Sequence, residues 1–147
     1  MSVPEPRQAW ISLLAKCPPE ALAARYEDLN DKPAFTWLRA PEIGAVMVRG
    51  RTGGTGAAFN LGEMTITRCS LKLVSGEVGH AYVQGRNRDK AEQAAVIDAL
   101  MQTVRQDDVR ALVLDPIAAE MAGAKQGRAA KAAATRVDFF TMVRGED

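Results

Sequence analysis

The spacing of apolar residues in the first third of the chain changes from helical to strand-like. A first helix around Trp10 to Leu14 is interrupted by Pro18-Pro19, which opens a second helix that ends before Pro33. The residues that follow fall into short runs rich in β-branched and aromatic side chains. The pattern therefore predicts an N-terminal helical pair followed by a sheet.

Polar and apolar residues alternate through the middle of the chain. Between Met64 and Val74, Cys69 and Leu71 lie on one side and Arg68 on the other, as in a strand with one wet face. We expect the first two strands to pair as a hairpin around a turn at Pro41 to Gly44. Four strands are predicted in all, and they form an antiparallel meander: Phe35 to Arg39, Ala45 to Arg49, Met64 to Val74 and Val78 to Gln84.

A long helix is predicted after the meander. Asp89 and Glu92 have the spacing of a capping box at its start, and the helix should end near Gln106. Its broad apolar face can cover the sheet. That face consists of Val96, Ile97, Leu100, Met101 and Val104.

A final helix should begin at Asp115-Pro116, where aspartate can cap free amides and proline fits the first turn. Beyond Met121 this helix has no large apolar side chain until Val137, and small residues such as Gly123 and Gly127 recur every fourth position. A helix of this kind gains little by packing on its own domain, but its smooth ridge permits close approach of another backbone. We therefore expect it to dock.

The last residues are apolar where a free terminus would be polar. At a period of two, large apolar groups fall on both sides of an extended segment, so we predict a terminal strand that docks on this chain's sheet, a second copy or a partner. The predicted docking arm is 116–147. Its interface residues are Val137, Phe139, Phe140, Met142 and Val143. The pattern as a whole predicts an α+β fold in one domain, residues 1–147, with a meander of about four strands covered by helices and a C-terminal docking helix plus strand.

Composition limits the classes of function. A net charge of +1 on 147 residues gives no field for a polyanion, so nucleic-acid binding is not expected. No apolar run approaches the roughly 20 residues of a membrane span, and the N-terminus lacks the pattern of a secretory leader. We expect a soluble, cytoplasmic protein that keeps its two cysteines reduced.

A glycine-rich segment is the first candidate ligand site. Backbone amides around Gly53, Gly54 and Thr55 could converge on an anion, with Arg51 supplying charge. The segment lacks the Gly-Lys-Ser/Thr ending of a nucleotide loop and precedes a strand instead of a helix. A plain connection between strands is therefore favoured over a phosphate site.

A basic turn before the long helix is the second candidate. Arg86 and Arg88 could meet an acidic ligand near that helix start, although a solvated turn is the simpler interpretation. His80 is the single histidine, and no carboxylate or cysteine near it in sequence forms a recognisable catalytic constellation with it, so a structural role is favoured. No metal site and no catalytic constellation are predicted.

Several sequence blocks, spread in order over nearly the whole chain, resemble the PhnG family of the bacterial carbon-phosphorus lyase system. The blocks are Gly53-Gly54-Thr55-Gly56, Val83-Gln84-Gly85-Arg86, Ala91-Glu92 followed by Ile97 to Gln102, and Arg136 to Gly145. The last block is specific, whereas the glycine segment alone is a weak signal.

The resemblance implies a part in phosphonate breakdown. In that reaction an alkylphosphonate such as methylphosphonate displaces adenine from the ribose of ATP and gives ribose 1-methylphosphonate 5-triphosphate. The implied partners are PhnI, PhnH and PhnL, with PhnJ in the core complex, and the nucleosidase chemistry is placed on PhnI. No cofactor is expected on this chain alone, and ATP is the co-substrate of the complex.

Three interpretations remain open. The chain is an accessory or scaffold subunit whose C-terminal arm holds PhnI or a second copy of itself. Alternatively, it takes a direct part in catalysis and binds phosphonate or triphosphate through the Arg51 loop or through Arg86 and Arg88. A third interpretation is a stand-alone domain that binds a small ligand.

Overall fold

The computed structural model describes residues 5–51, 56 and 58–145, and within this part the side chains of 5, 51, 58–61 and 134–145 are left out of the description. Two short helices come first, followed by the strands and then a helical C-terminal half. In chain order the elements are α1 (Glu5–Lys16), α2 (Pro19–Glu27), β1 (Phe35–Arg51), β2 (Ala58–Leu73), β3 (Val78–Gln84), α3 (Arg88–Leu100), α4 (Gln106–Val109), a π-helical turn (Arg110–Leu114) and α5 (Asp115–Gly145). The α+β class predicted from the sequence is confirmed.

The sheet in the described part of the chain has three antiparallel strands in the order β1-β2-β3, so the expected number of four is wrong. The first two predicted strands are one strand, β1, and no hairpin turn forms at Pro41 to Gly44. Instead the register with β2 shifts between Arg39 and Glu42. Because β1 is an edge strand, the missing amide of Pro41 can face away from the ladder. The register shift accommodates the extra residues of β1 at the position where a turn was predicted.

The β1-β2 hairpin extends beyond the third strand. β3 pairs with β2 only from Ile66 to Lys72, whereas β1 and β2 remain paired as far as Arg51 and Ala58. The extension is about 26 Å long at the usual strand rise. A two-stranded ribbon is marginally stable on its own in water.

Helix α3 packs against the inner face of the sheet. At Gly79 an added Cβ would lie 2.0 Å from the carbonyl oxygen of Ala95, so the α3 backbone approaches β3 more closely than any side chain permits. The cap is Asn87, whose side chain accepts from the amide of Lys90 at 2.9 Å, and not the predicted Asp89. The helix also ends at Leu100 instead of near Gln106.

The core lies between α3, the inner face of the sheet and the packed faces of α1, α2 and the π-helical turn. Val104, which we expected on the buried face of α3, is fully exposed because the helix has already ended. The largest completely buried side chains are Leu14, Leu22, Leu71, Ile97, Met101 and Ile117.

The last part of the chain, from α4 through the π-helical turn into α5, is one continuous helical run. We expected Asp115 to cap the start of the final helix, and this is wrong. Asp115 has helical dihedrals itself. Pro116 lacks an amide and its ring would collide with the carbonyl four residues earlier. The wider π-helical turn just before it removes the need for that hydrogen bond.

The predicted terminal strand is wrong, because α5 continues to Gly145. Once a helix is nucleated, each further residue adds one hydrogen bond for a small entropic cost. The alanine-rich stretch before Val137 is a strong helix former. Helix propagation therefore overrides the local strand preference of the phenylalanine pair.

Candidate functional site

Among its described side chains, helix α5 has the buried ones in its first two turns. Ile117 is completely buried and Met121 packs against the core, and Arg25 of α2 holds Glu120 at 2.5 Å. Every side chain from Ala122 to Ala133 is exposed. We name the part of α5 from Ala122 to Gly145 the arm; its helical backbone is about 36 Å long.

The predicted interface residues all lie in the arm. Val137, Phe139, Phe140, Met142 and Val143 are helical, and their side chains fall outside the description. Their role in binding a partner stays a prediction.

The glycine-rich segment joins the two strands of the long hairpin. Arg51 and Ala58 on either side of it are paired in the ladder, as expected for a connection between strands. Gly53, Gly54 and Thr55 lie outside the described residues. Binding of an anion here stays a prediction.

The basic turn lies at a different place in the fold. Gly85 has a φ of +88°, and its amide donates to the carbonyl of Thr65 at 2.8 Å. The hydroxyl of Thr67 donates to the carbonyl of Gly85 at 2.7 Å and accepts from the amide of Asn87 at 3.0 Å. The turn is thereby attached to the middle of β2, and both arginines in it, Arg86 and Arg88, are exposed.

The two predicted basic groups are separated along the hairpin. The carbonyl that anchors the basic turn belongs to Thr65, and Arg51 is paired with Ala58 at the far end. This part of β2 is about 23 Å long at the usual strand rise. The structure therefore places Arg51 and Arg86 at separate positions instead of around one ligand.

A buried carboxylate, which sequence analysis missed, fixes the free edge of β3. Asp98 of α3 is completely buried. Its Oδ1 accepts from Arg7 Nε at 3.2 Å and from Trp10 Nε1 at 2.7 Å. Its Oδ2 accepts from Arg7 Nη2 at 3.0 Å and from the amide of His80 at 2.9 Å. Arg7 also donates to the carbonyl of Val78 at 3.2 Å, so Arg7 of α1 and Asp98 of α3 satisfy two edge groups at the start of β3, the Val78 carbonyl and the His80 amide.

The outer face of the sheet carries a polar cluster. Ser70 on β2 is opposite His80 on β3, and the hydroxyl lies 2.9 Å from Nδ1 of the imidazole. The His80 ring is exposed, while its backbone amide is held by Asp98. Arg68 is opposite Tyr82, whose side chain is also exposed. Only the alternation along β2 and β3 indicated that these residues share a face.

Two arginines of this face share one carboxylate. Glu42 Oε1 lies 2.7 Å from Arg39 Nη1 and 3.3 Å from Arg68 Nε. All three side chains are about half exposed. We name the open cleft of about 270 Å³ beside them the outer cleft; it is lined by Arg39, Arg68, Ser70, His80 and Tyr82, together with parts of Ile11, Cys69 and Ala81.

Both cysteines are free and buried. Burial raises the pKa of the Cys17 thiol and, with a smaller contribution from the charge of Glu92, raises the pKa of Cys69 to about 12. The Cys69 thiol donates to the carbonyl of Ala91 at 3.2 Å. In the part of the chain that the structure describes, no group of three histidine, cysteine or acidic side chains is placed to hold a metal ion.

No helix within residues 5–51, 56 and 58–145 has both the length and the apolar character needed to cross a bilayer.

Comparison with known proteins gives a family match along nearly the whole chain. The model of the family described as "Phosphonate metabolism protein PhnG" matches residues 5–145. A protein of Rhizobium meliloti (strain 1021), named alpha-D-ribose 1-methylphosphonate 5-triphosphate synthase subunit PhnG, is 42% identical over 141 residues, which cover 96% of this chain and 90% of that protein. The match agrees with the sequence blocks and covers every element of the fold, so the chain belongs to the PhnG family of phosphonate metabolism proteins.

Proposed function

We propose that this chain is an accessory or scaffold subunit of a ribose 1-methylphosphonate 5-triphosphate synthase. The name of the Rhizobium meliloti relative supports membership in such an enzyme. In the proposed reaction the complex transfers an alkylphosphonate, such as methylphosphonate, onto C1 of the ribose of ATP and releases adenine. PhnI carries the chemistry, PhnH and PhnL act with it, and PhnJ joins the core assembly.

The observation that carries the scaffold role is the exposure of the arm from Ala122 to Ala133. A helical segment that buries no apolar face in its own domain, as in these twelve residues, gains little stability from tertiary packing. Gly123 and Gly127 cost the helix a further 1 kcal/mol or so each relative to alanine, and an added Cβ at either position would meet no atom within 4 Å. A partner backbone can approach this ridge closely, so the arm becomes stable when PhnI or a second copy of the chain covers it.

The long hairpin supports the same role. Beyond β3 it is two-stranded, and it exposes half of the Met47 side chain and about a third of Val48. Exposed apolar groups on an unsupported ribbon favour burial against another chain. The arm and the ribbon together give the protein two elements that reach beyond its core.

Co-purification with PhnI tests the role of the arm. A tagged full-length chain, a variant without residues 137–147 and a variant without 123–147 are each expressed with PhnI. We expect both truncations to abolish recovery of PhnI, because they remove the proposed contact. A truncated chain that still recovers PhnI in equal amounts would refute the docking proposal.

The truncated chains must still fold if a loss of PhnI is to be assigned to the missing arm. No described side chain beyond Ala122 is buried, so the thermal midpoint of the chain without 123–147 should stay within a few degrees of the full-length value. Asp108→Ala, which changes an exposed residue of α4, is the matched full-length control and should recover PhnI normally.

The second candidate function is direct binding of phosphonate or triphosphate. Arg86 and Arg88 are exposed on a turn held firmly to β2, which gives a rigid base for an anion contact. The reconstituted subunits are incubated with ATP and methylphosphonate, and release of adenine is measured for Arg51→Ala, Arg86→Ala and Arg88→Ala. Normal turnover by a normally assembled complex rejects this function.

A further inference from the structure

The outer cleft combines several hydrogen-bond donors on one face of the sheet. Arg39 is opposite Ser70 across β1 and β2, and Ser70 is opposite His80 across β2 and β3. The neighbouring row contains Arg68 and Tyr82. Two adjacent rows of a sheet place these side chains within reach of one small ligand.

Positive charge is in excess in the cleft. Arg39 and Arg68 share the one carboxylate of Glu42, and the two contacts use one nitrogen of each guanidinium. A guanidinium has five N–H donors, so both arginines keep donors for a ligand. The pairs are about half exposed, and exposed pairs of this kind contribute little to stability because water screens them. An anion can therefore share the arginines with Glu42 at little cost. Lys72 on the same strand face adds to the excess.

The Ser70-His80 pair offers a donor in either tautomer. If the hydroxyl donates to Nδ1, the Nε2–H of the ring is available to a ligand. If Nδ1–H donates to the hydroxyl oxygen, the hydroxyl proton is available instead. The amide of His80 is held by Asp98 at 2.9 Å, which fixes the backbone beneath the ring.

We propose that the outer cleft binds a tetrahedral oxyanion of the phosphonate or phosphate type, between the guanidiniums of Arg39 and Arg68 and the Ser70-His80 pair. Planar guanidiniums suit the oxygens of such a group because they donate two parallel hydrogen bonds. The ligand is either a free alkylphosphonate or the triphosphate of a nucleotide. The choice of these two anions rests on the proposed function, whereas the site itself is complete within one chain.

The single histidine makes the site directly observable. With one histidine in the sequence, the imidazole signals of the full-length chain in an NMR spectrum report on His80 without assignment. Methylphosphonate and inorganic tripolyphosphate are titrated separately at constant pH and ionic strength. We expect a saturable shift of the His80 signals, and the probe with the lower dissociation constant identifies the source of the anion.

Matched substitutions locate the binding. Arg39→Gln and Arg68→Gln should each weaken binding about tenfold or more, because each removes a charged donor. Arg25→Gln removes the same charge at the pair with Glu120, on another part of the surface, and should leave binding unchanged. Glu42→Gln should strengthen binding, since it removes the carboxylate that competes for the arginines.

Two results would overturn the proposal. One is the absence of a saturable shift with either probe in the low millimolar range. The other is an equal loss in Arg25→Gln and Arg39→Gln, which would mean that the anions respond to overall charge and not to the cleft. Circular dichroism of each variant confirms the fold, and the arginine side chains are exposed enough that their replacement should not disturb it.

Discussion

Replacing Asp98 with asparagine tests the buried carboxylate that joins α1, β3 and α3. Each carboxylate oxygen accepts from two donors. An asparagine side chain keeps one oxygen and replaces the other with an NH₂ group. In either orientation of the amide, two of the four donors then face another donor. The negative charge that balances Arg7, whose side chain is only 21% exposed, is lost as well.

The expected cost is large because the site is completely buried. Removal of one partner from a buried ion pair costs about 3–5 kcal/mol. That corresponds to a fall of roughly 6–20 °C in the thermal midpoint for a chain of this size, and to about 1.5–2.5 M in the urea midpoint if the slope is about 2 kcal/mol per M.

Urea unfolding followed by circular dichroism measures the effect. Asp89→Asn makes the same chemical change at an exposed position of the same helix and should cost at most about 1 kcal/mol through the helix dipole. In a double variant, Arg7→Met with Asp98→Asn should cost less than the sum of the two single changes by at least about 1 kcal/mol. A loss below about 1 kcal/mol for Asp98→Asn would refute the argument.

The remaining predictions concern single positions. Gly79→Ala should destabilise the protein by about 1–3 kcal/mol or more, because its Cβ would overlap the carbonyl of Ala95 at 2.0 Å. Gly123→Ala has open space around it and should raise helix content and stability by about 0.4–1 kcal/mol. Thermal unfolding of both variants checks that the two effects have opposite signs. The Cys69 thiol, with a pKa of about 12 against an ordinary 9.0, should react with a disulfide reagent at pH 8 at least about tenfold more slowly than an ordinary thiol, because it is buried and forms little thiolate. Fast reaction in the folded protein would contradict the burial. Desolvation lowers the pKa of Lys90 below 10.5, so the native state carries the cost of a charged lysine below that lowered pKa and loses this cost as the pH rises toward 10.5. The stability of wild type relative to Lys90→Met should therefore increase between pH 7 and 10 in urea unfolding, and a constant difference would contradict this.

Local patterns predicted β3 well and β1 poorly. The alternation from Val78 to Gln84 and the turn at Gly76 depend on neighbouring residues, and the strand has the expected bounds. The residues Pro41 to Gly44 carry turn chemistry of their own, but pairing with β2 and a register shift override it. The pairing of β1 with β2 joins residues that are distant in sequence, and a window of a few residues does not reveal it. A turn was therefore predicted where the strand continues.

Local patterns predict the candidate sites even less well than they predict the strands. The exposure of Ala122 to Ala133 follows from the lack of large apolar residues after Met121, which is a local property. Three of the four donors to Asp98 belong to Arg7 and Trp10, which are 91 and 88 residues away in sequence. The outer cleft needs three paired strands, and Arg39 comes opposite Ser70 only because the register of β1 shifts on both sides of it. No local pattern can identify partners that only the fold brings together.

The absence of a break between the core and the arm gives the protein a mechanical lever. Val113, Leu114 and Ile117 are fixed in the core, and the same helix runs on to Gly145. A change of about 5° in the tilt of this buried segment would displace the far end of a 36 Å arm by roughly 3 Å. A small repacking of the core around the base of the arm would thus be amplified into a displacement large enough to make or break a side-chain contact at its far end. The position of any partner bound to the arm would then depend on core residues that do not contact that partner.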